Sequence, residues 1–76
     1  MLRSQIPNRE TIDRLRKEYP AGCRIQLISM DDPYTNLHPG LEGTVSLIDD
    51  IGTIFVNWDN GSYLGVVYGI DRIKKV

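Results

Sequence analysis

The sequence predicts a mainly β domain with one N-terminal helix, its five short strands bent into a small antiparallel barrel. Three observations carry this. Asn60-Gly61 stands between two β-rich runs within Gly52–Gly69, and Asn-Gly is the strongest short-range hairpin signal. Helical spacing of apolar residues occurs only before Pro20. Beyond Gly22, short runs of β-branched and aromatic residues alternate with Gly, Pro, Asn and Asp. Strands this short and this closely joined give an open sheet little core to enclose, which favours a bent, closed one. A chain of 76 residues makes a single domain, 1–76, with a helix over 8–19 and a barrel over 23–76.

Residues 1–6 are expected to lead in as a frayed or extended arm. Asn8 is a good N-cap, and Glu10 suits the positive end of the helix dipole. Pro7 is placed to staple against Ile12. Ile12, Leu15 and Tyr19 follow i, i+3, i+7 spacing and form one apolar stripe. Pro20 ends the helix, and Ala21-Gly22 turn the chain. Cys23 to Met30 reads as the first strand. Its alternation slips at Leu27-Ile28, which signals a bulge or burial on both faces. Asp31 to Gly40 is a long loop with two prolines, of a length that is often functional. Thr44 to Ile48 is the second strand, and Asp49-Asp50-Ile51-Gly52 turns into the central hairpin. After Tyr68, Gly69-Ile70-Asp71 suggests a tight helical turn. Arg72 to Val76 is the last strand, with Ile73 inward.

Taken as a two-residue type I′ turn, Asn60-Gly61 fixes the hairpin register. Asp59 then faces Ser62, Trp58 faces Tyr63, Val56 faces Gly65 and Ile54 faces Val67. The opposite face carries Phe55, Asn57, Leu64, Val66 and Tyr68. Both faces are rich in apolar groups, so both need cover. The helix stripe also needs a partner, since a helix this short is marginal alone. The economical expectation is that the helix covers Phe55, Leu64 and Val66. The alternative is a second copy of the chain through that face, so the molecule is expected to be a monomer or a homodimer.

Composition excludes several classes. Nine basic residues against ten acidic ones, with a net charge of −1, give no overall pull on nucleic acid. No apolar run is long enough for a transmembrane helix, and Met1–Gln5 lacks a signal core, so a cytoplasmic protein is expected. The single Cys23 and the single His38 give neither a disulfide framework nor a metal-site spacing. No cofactor motif is present. Ser62 lacks a nucleophile elbow and a paired base, and reads as a turn residue. Asp31, Asp32, Asp49, Asp50 and Asp59 fall in turns, where Asp favours turn geometry more often than it forms a catalytic pair. No enzyme chemistry is expected.

Pro39-Gly40-Leu41-Glu42-Gly43-Thr44-Val45, Asp49-Asp50-Ile51-Gly52, Val56-Asn57-Trp58-Asp59-Asn60-Gly61-Ser62 and Tyr68-Gly69-Ile70-Asp71 form a specific set. Together with Arg16-Lys17-Glu18-Tyr19-Pro20-Ala21-Gly22 and Met30-Asp31-Asp32-Pro33, they span nearly the whole chain. In these motifs the chain resembles a short bacterial and phage family catalogued as a domain of unknown function, often encoded on phages and conjugative elements. That resemblance implies membership and carries no activity. Gly43-Thr44-Val45 followed by the Val-x-Trp-Asp-Asn-Gly-Ser run is also similar to the SH3-like domains of the Mind bomb–Herc type, which are binding modules. This similarity implies a small SH3-like five-stranded antiparallel barrel, and a ligand only by analogy.

The expected function is a non-enzymatic interaction module for a protein or peptide. Aromatic side chains beside a loop are the common means by which such barrels grip extended segments. The expected contact residues are Met30, Asp31, Asp32, Tyr34, Trp58, Asp59, Asn60, Ser62 and Tyr68. Trp58 and Tyr63 have a competing use as a buried cross-strand pair. The second reading is a nucleic-acid-binding accessory protein using Arg9, Arg14, Arg16, Lys17, Arg24, Lys74 and Lys75 as a local basic face.

Overall fold

A computed structural model describes residues 7–30 and 37–76. Helix α1 (Arg9–Glu18) is followed by strands β1 (Arg24–Ser29), β2 (Glu42–Ile48), β3 (Thr53–Trp58), β4 (Tyr63–Val67) and β5 (Arg72–Lys75). The strands form one five-stranded antiparallel sheet in the order β4-β3-β2-β1-β5. Among the described residues no ladder joins β4 to β5. Only an isolated bridge between Tyr68 and Asp71 spans the turn that connects them. The sheet is therefore open, where the sequence reading expected closure. The reason lies in the cover: α1 closes one face of the sheet, so the core is enclosed without the sheet meeting itself.

α1 starts where its cap chemistry dictates. The Asn8 side chain accepts the Thr11 N–H at 2.8 Å, and the Tyr19 N–H closes the last turn on the Leu15 carbonyl at 2.8 Å. Ile12 and Leu15 are buried, and Tyr19 is half-buried against the core. Leu15 meets Ile25 and Leu27 of β1, Val45 and Ile48 of β2, Ile54, Val56 and Trp58 of β3, Val66 of β4 and the returning Leu37 in one cluster. Arg16 adds a polar clasp, donating to the Ile48 carbonyl at 3.0 Å and to Asp50 Oδ1 at 3.0 Å.

The central hairpin departs from the expected register. Thr53 pairs with Val67, Ile54 with Val66, Phe55 with Gly65, Val56 with Leu64 and Asn57 with Tyr63. The loop contains three residues, Asp59, Asn60 and Gly61. The Gly61 N–H bonds the Trp58 carbonyl at 3.0 Å, and the Trp58 N–H bonds the Ser62 carbonyl at 2.8 Å. Of the described non-glycine residues none has positive φ, so Asn60 is not left-handed and the turn is not type I′. It is a type I turn closed by a left-handed Gly61, at φ +92°. The β2–β3 connection repeats this geometry at Asp49–Gly52, with Gly52 at φ +88°.

This one-residue slip exchanges the two faces of β4. Val66 joins Ile54, Val56 and Trp58 in the core, while Tyr63 and Val67 lie with Phe55 on the opposite face. The expected Trp58–Tyr63 pair does not form: Trp58 is 3% exposed and Tyr63 is 51% exposed. The helix covers Val66 as expected, but not Phe55, and the outer face keeps no cover among the described residues. The bulge expected at Leu27-Ile28 is present, between Leu27 and Ser29 on the β5 side. A second bulge, between Val45 and Leu47, turns Leu47 outward and Ile48 inward.

Candidate interaction surface

Among the described residues, the expected contact residues do not converge. Trp58 is buried, and its indole N–H donates to the Leu64 carbonyl at 3.2 Å, so it offers no face to a ligand. Asp59 lies at the β3–β4 loop. It receives Arg24 Nη1 at 2.8 Å and Nη2 at 2.6 Å in a two-pronged bridge. The same guanidinium also reaches Glu42 at 3.2 Å and Thr44 at 3.1 Å. Hydrogen bonding from Arg24, ahead of its charge, holds the Asp59 carboxyl below its ordinary value. Asn60 accepts the Ser62 N–H at 3.0 Å and serves the turn. Met30 is half-buried against the core. It follows Ser29, which pairs with Arg72, whereas Asp59 is tied to Arg24 at the other end of β1. Tyr68 is 40% exposed, at the far end of β4 from Asn60 and Ser62. Asp31, Asp32 and Tyr34 lie outside the described residues.

The other carboxylates serve turns and clasps. Asp49 Oδ1 accepts the N–H groups of Ile51 and Thr53, Asp50 faces Arg16, and Asp71 Oδ2 accepts the Val67 N–H at 2.9 Å. Among the described residues no group of three or more His, Cys, Asp or Glu is placed to hold a metal ion. The basic residues are also divided. Arg16 and Arg24 are held by carboxylates, and Lys75 Nζ stands 5.8 Å from the centroid of the Tyr19 ring, within cation–π reach. No helix among the described residues is long and apolar enough to cross a membrane.

What the structure does assemble lies along β4, an edge strand. In an antiparallel ladder, alternate residues turn their backbone groups toward the neighbour and away from it. The Trp58–Ser62 bond sets the phase, so Leu64 and Val66 face β3 while Tyr63, Gly65 and Val67 face outward. The outward groups of Val67 are satisfied within the chain. Its N–H meets Asp71, and its carbonyl accepts from Ile70 and Asp71 at 3.1 and 2.9 Å. The N–H and C=O groups of Tyr63 and Gly65 have no partner among the described residues.

The two edges differ in chemistry. β5 carries Arg72, Lys74 and Lys75, and charged side chains on an edge discourage added strands. β4 carries Tyr63, Leu64, Gly65, Val66 and Val67, with no charge anywhere from Asn60 to Ile70. Beside β4 the outer face presents Leu47, Tyr63 and Val67, which are 49%, 51% and 38% exposed. The Phe55 and Tyr63 rings stack there, with centroids 5.9 Å apart and planes 15° apart. Gly65 makes room for this pair, since a Cβ there would stand 2.5 Å from Thr53 Cγ2 and 3.4 Å from the Phe55 ring.

A cleft of about 550 Å³ opens at the far end of β4. Leu15, Ile54 and Val66 form its apolar floor, with Tyr19, Tyr68 and Arg72 among its walls. Burial there, then the neighbouring Glu18, raises the Tyr19 hydroxyl above its ordinary value. Of the expected residues among those described, Tyr68 lines this cleft, and Met30 follows Ser29, which pairs with Arg72 of its wall. Sequence reasoning missed Tyr63, Leu64 and Gly65 as an edge, although the uncharged run from Asn60 to Ile70 was a readable signal.

A helix on one face of an open antiparallel sheet, with one charged edge and one uncharged edge, defines a small mainly β domain. The chain belongs to the family catalogued as Domain of unknown function (DUF4314), whose model matches residues 8–76, from the helix cap to the end of β5 and beyond. No curated protein and no solved structure matches it.

Proposed function

We propose that the chain is a small non-enzymatic interaction module that takes an extended segment of a protein or peptide along β4. The observation that carries this reading is the pair of unmet backbone groups at Tyr63 and Gly65 on an edge free of charge. Strand addition supplies main-chain hydrogen bonds for affinity, and flanking side chains read alternate residues of the guest. On the outer face those side chains are Tyr63 and Val67, with Phe55 behind them; Tyr68 and the cleft lie further along the same edge.

The proposal includes an SH3-like character for the sheet, supported by the strand order, the return of β5 to β1 and the two bulges that bend the strands. It also includes a cytoplasmic setting in a bacterial, phage or mobile-element system, which rests on the resemblance of the motifs and the composition. For nucleic-acid binding, Arg16 and Arg24 are already engaged by carboxylates, so that reading would rest on Arg9, Arg14, Lys17, Lys74 and Lys75.

A random peptide library displayed against the full chain at low protein concentration tests this. Apolar, extended peptides should be enriched, and binding should vanish with Tyr63→Pro, which removes an outward N–H at a strand start where proline is tolerated. Tyr63→Val, which keeps the N–H, should retain it. No enrichment, or binding indifferent to Tyr63→Pro, would overturn the reading.

A further inference from the structure

We infer that the strand β4 accepts is β4 of a second copy of this chain, giving a two-fold dimer with one continuous sheet. This rests on the reading of β4 as a strand-accepting edge and names its occupant.

The free groups define the register. Outward-facing residues of two antiparallel strands must meet as hydrogen-bonded pairs. Among the described residues, the outward groups of Tyr63 and Gly65 are the unmet ones on β4, because Asp71 and the following turn occupy those of Val67. Placing Tyr63 opposite Gly65 of the second copy, and Gly65 opposite its Tyr63, satisfies every one of them at once. The two-fold axis then passes between the two Leu64 residues.

The side chains suit this register. Leu64 points to the core side of the sheet yet is 41% exposed, because it stands at the bare edge. In the dimer it meets its own symmetry mate. On the outer face Tyr63, at 51% exposed, lies beside the Gly65 of the second copy, where there is no side chain. Charge is compatible as well. The uncharged stretch from Asn60 to Ile70 brings no like charges together, and Asp59, in the loop that turns back to β3, is already bridged to Arg24. The β5 edge fails the same test, since two copies would set Arg72, Lys74 and Lys75 against one another.

Sedimentation equilibrium of the full chain over a wide concentration range tests the association. A monomer–dimer equilibrium is expected, shifted to monomer by Leu64→Lys, which places two like charges at the axis, with the circular dichroism spectrum unchanged. A second variant does not depend on that one folding. Opposed residues of a non-hydrogen-bonded pair have Cα atoms about 4.5 Å apart, within disulfide range. In a Cys23→Ser background, Leu64→Cys should therefore cross-link between chains under mild oxidation, and Val67→Cys should not. A dimer that ignores Leu64→Lys and leaves Cys at position 64 unlinked would overturn the inference by placing the interface elsewhere. A chain monomeric at every concentration would also overturn it, and peptide binding sensitive to Tyr63→Pro would then still uphold the strand-accepting edge.

Discussion

Gly61 holds the β3–β4 loop at φ +92°, where a Cβ would be strained although nothing stands within 4 Å of it. The strain is one of backbone and not of space. Gly61→Ala should therefore cost about 1 kcal/mol or more of stability, read from chemical denaturation. An unchanged midpoint would mean that the loop does not use the left-handed region at all. The same loop shows how a residue can be recognised and its role still misplaced. Asn-Gly was legible as a turn, because only glycine adopts that conformation freely. Whether Asn60 shares it is a matter of the whole loop, and here Asn60 instead bonds the Ser62 N–H through its side chain. Trp58 was ambiguous for a similar reason: a large ring with one N–H suits a core or a groove, and the Leu64 carbonyl decides for the core.

At the scale of elements, α1 was legible from end to end, since cap, stripe and terminating proline all act locally. Its partner was not, because partner choice depends on the face that the hairpin register assigns. One residue of slip sent Val66 inward and Tyr63 outward. The bulge at Ile28 could be read from a broken alternation. The one beside Ser46 could not, since Leu47 and Ile48 are both apolar and either fits the core. Leu15, 2% exposed, joins the helix to four strands and the returning Leu37. Removing its buried methyl groups leaves a cavity, so Leu15→Ala should cost about 2–5 kcal/mol. A domain this small has only about 3–5 kcal/mol from its core. Thermal melts of the variant should show loss or near loss of the cooperative transition. A melting temperature equal to wild type would make α1 a detachable arm, and its stripe would become the better docking surface.

For the whole molecule, the decisive feature is that one layer of helix suffices to enclose the core, which leaves both sheet edges without a further strand among the described residues. Evolutionary tuning of the two edges is not needed to see their difference: arginine and lysine line one, and uncharged residues line the other. The composition never revealed this, since a net charge of −1 averages over both edges. The central claim is that the β4 edge is unpaired within the single chain. Amide hydrogen exchange, resolved at single residues in a sample dilute enough to be monomeric, addresses it directly. The Tyr63 and Gly65 amides should exchange far faster than those of Leu64 and Val66, which face β3. Equal protection of all four at high dilution would contradict the account, because the edge would then be closed by the chain itself.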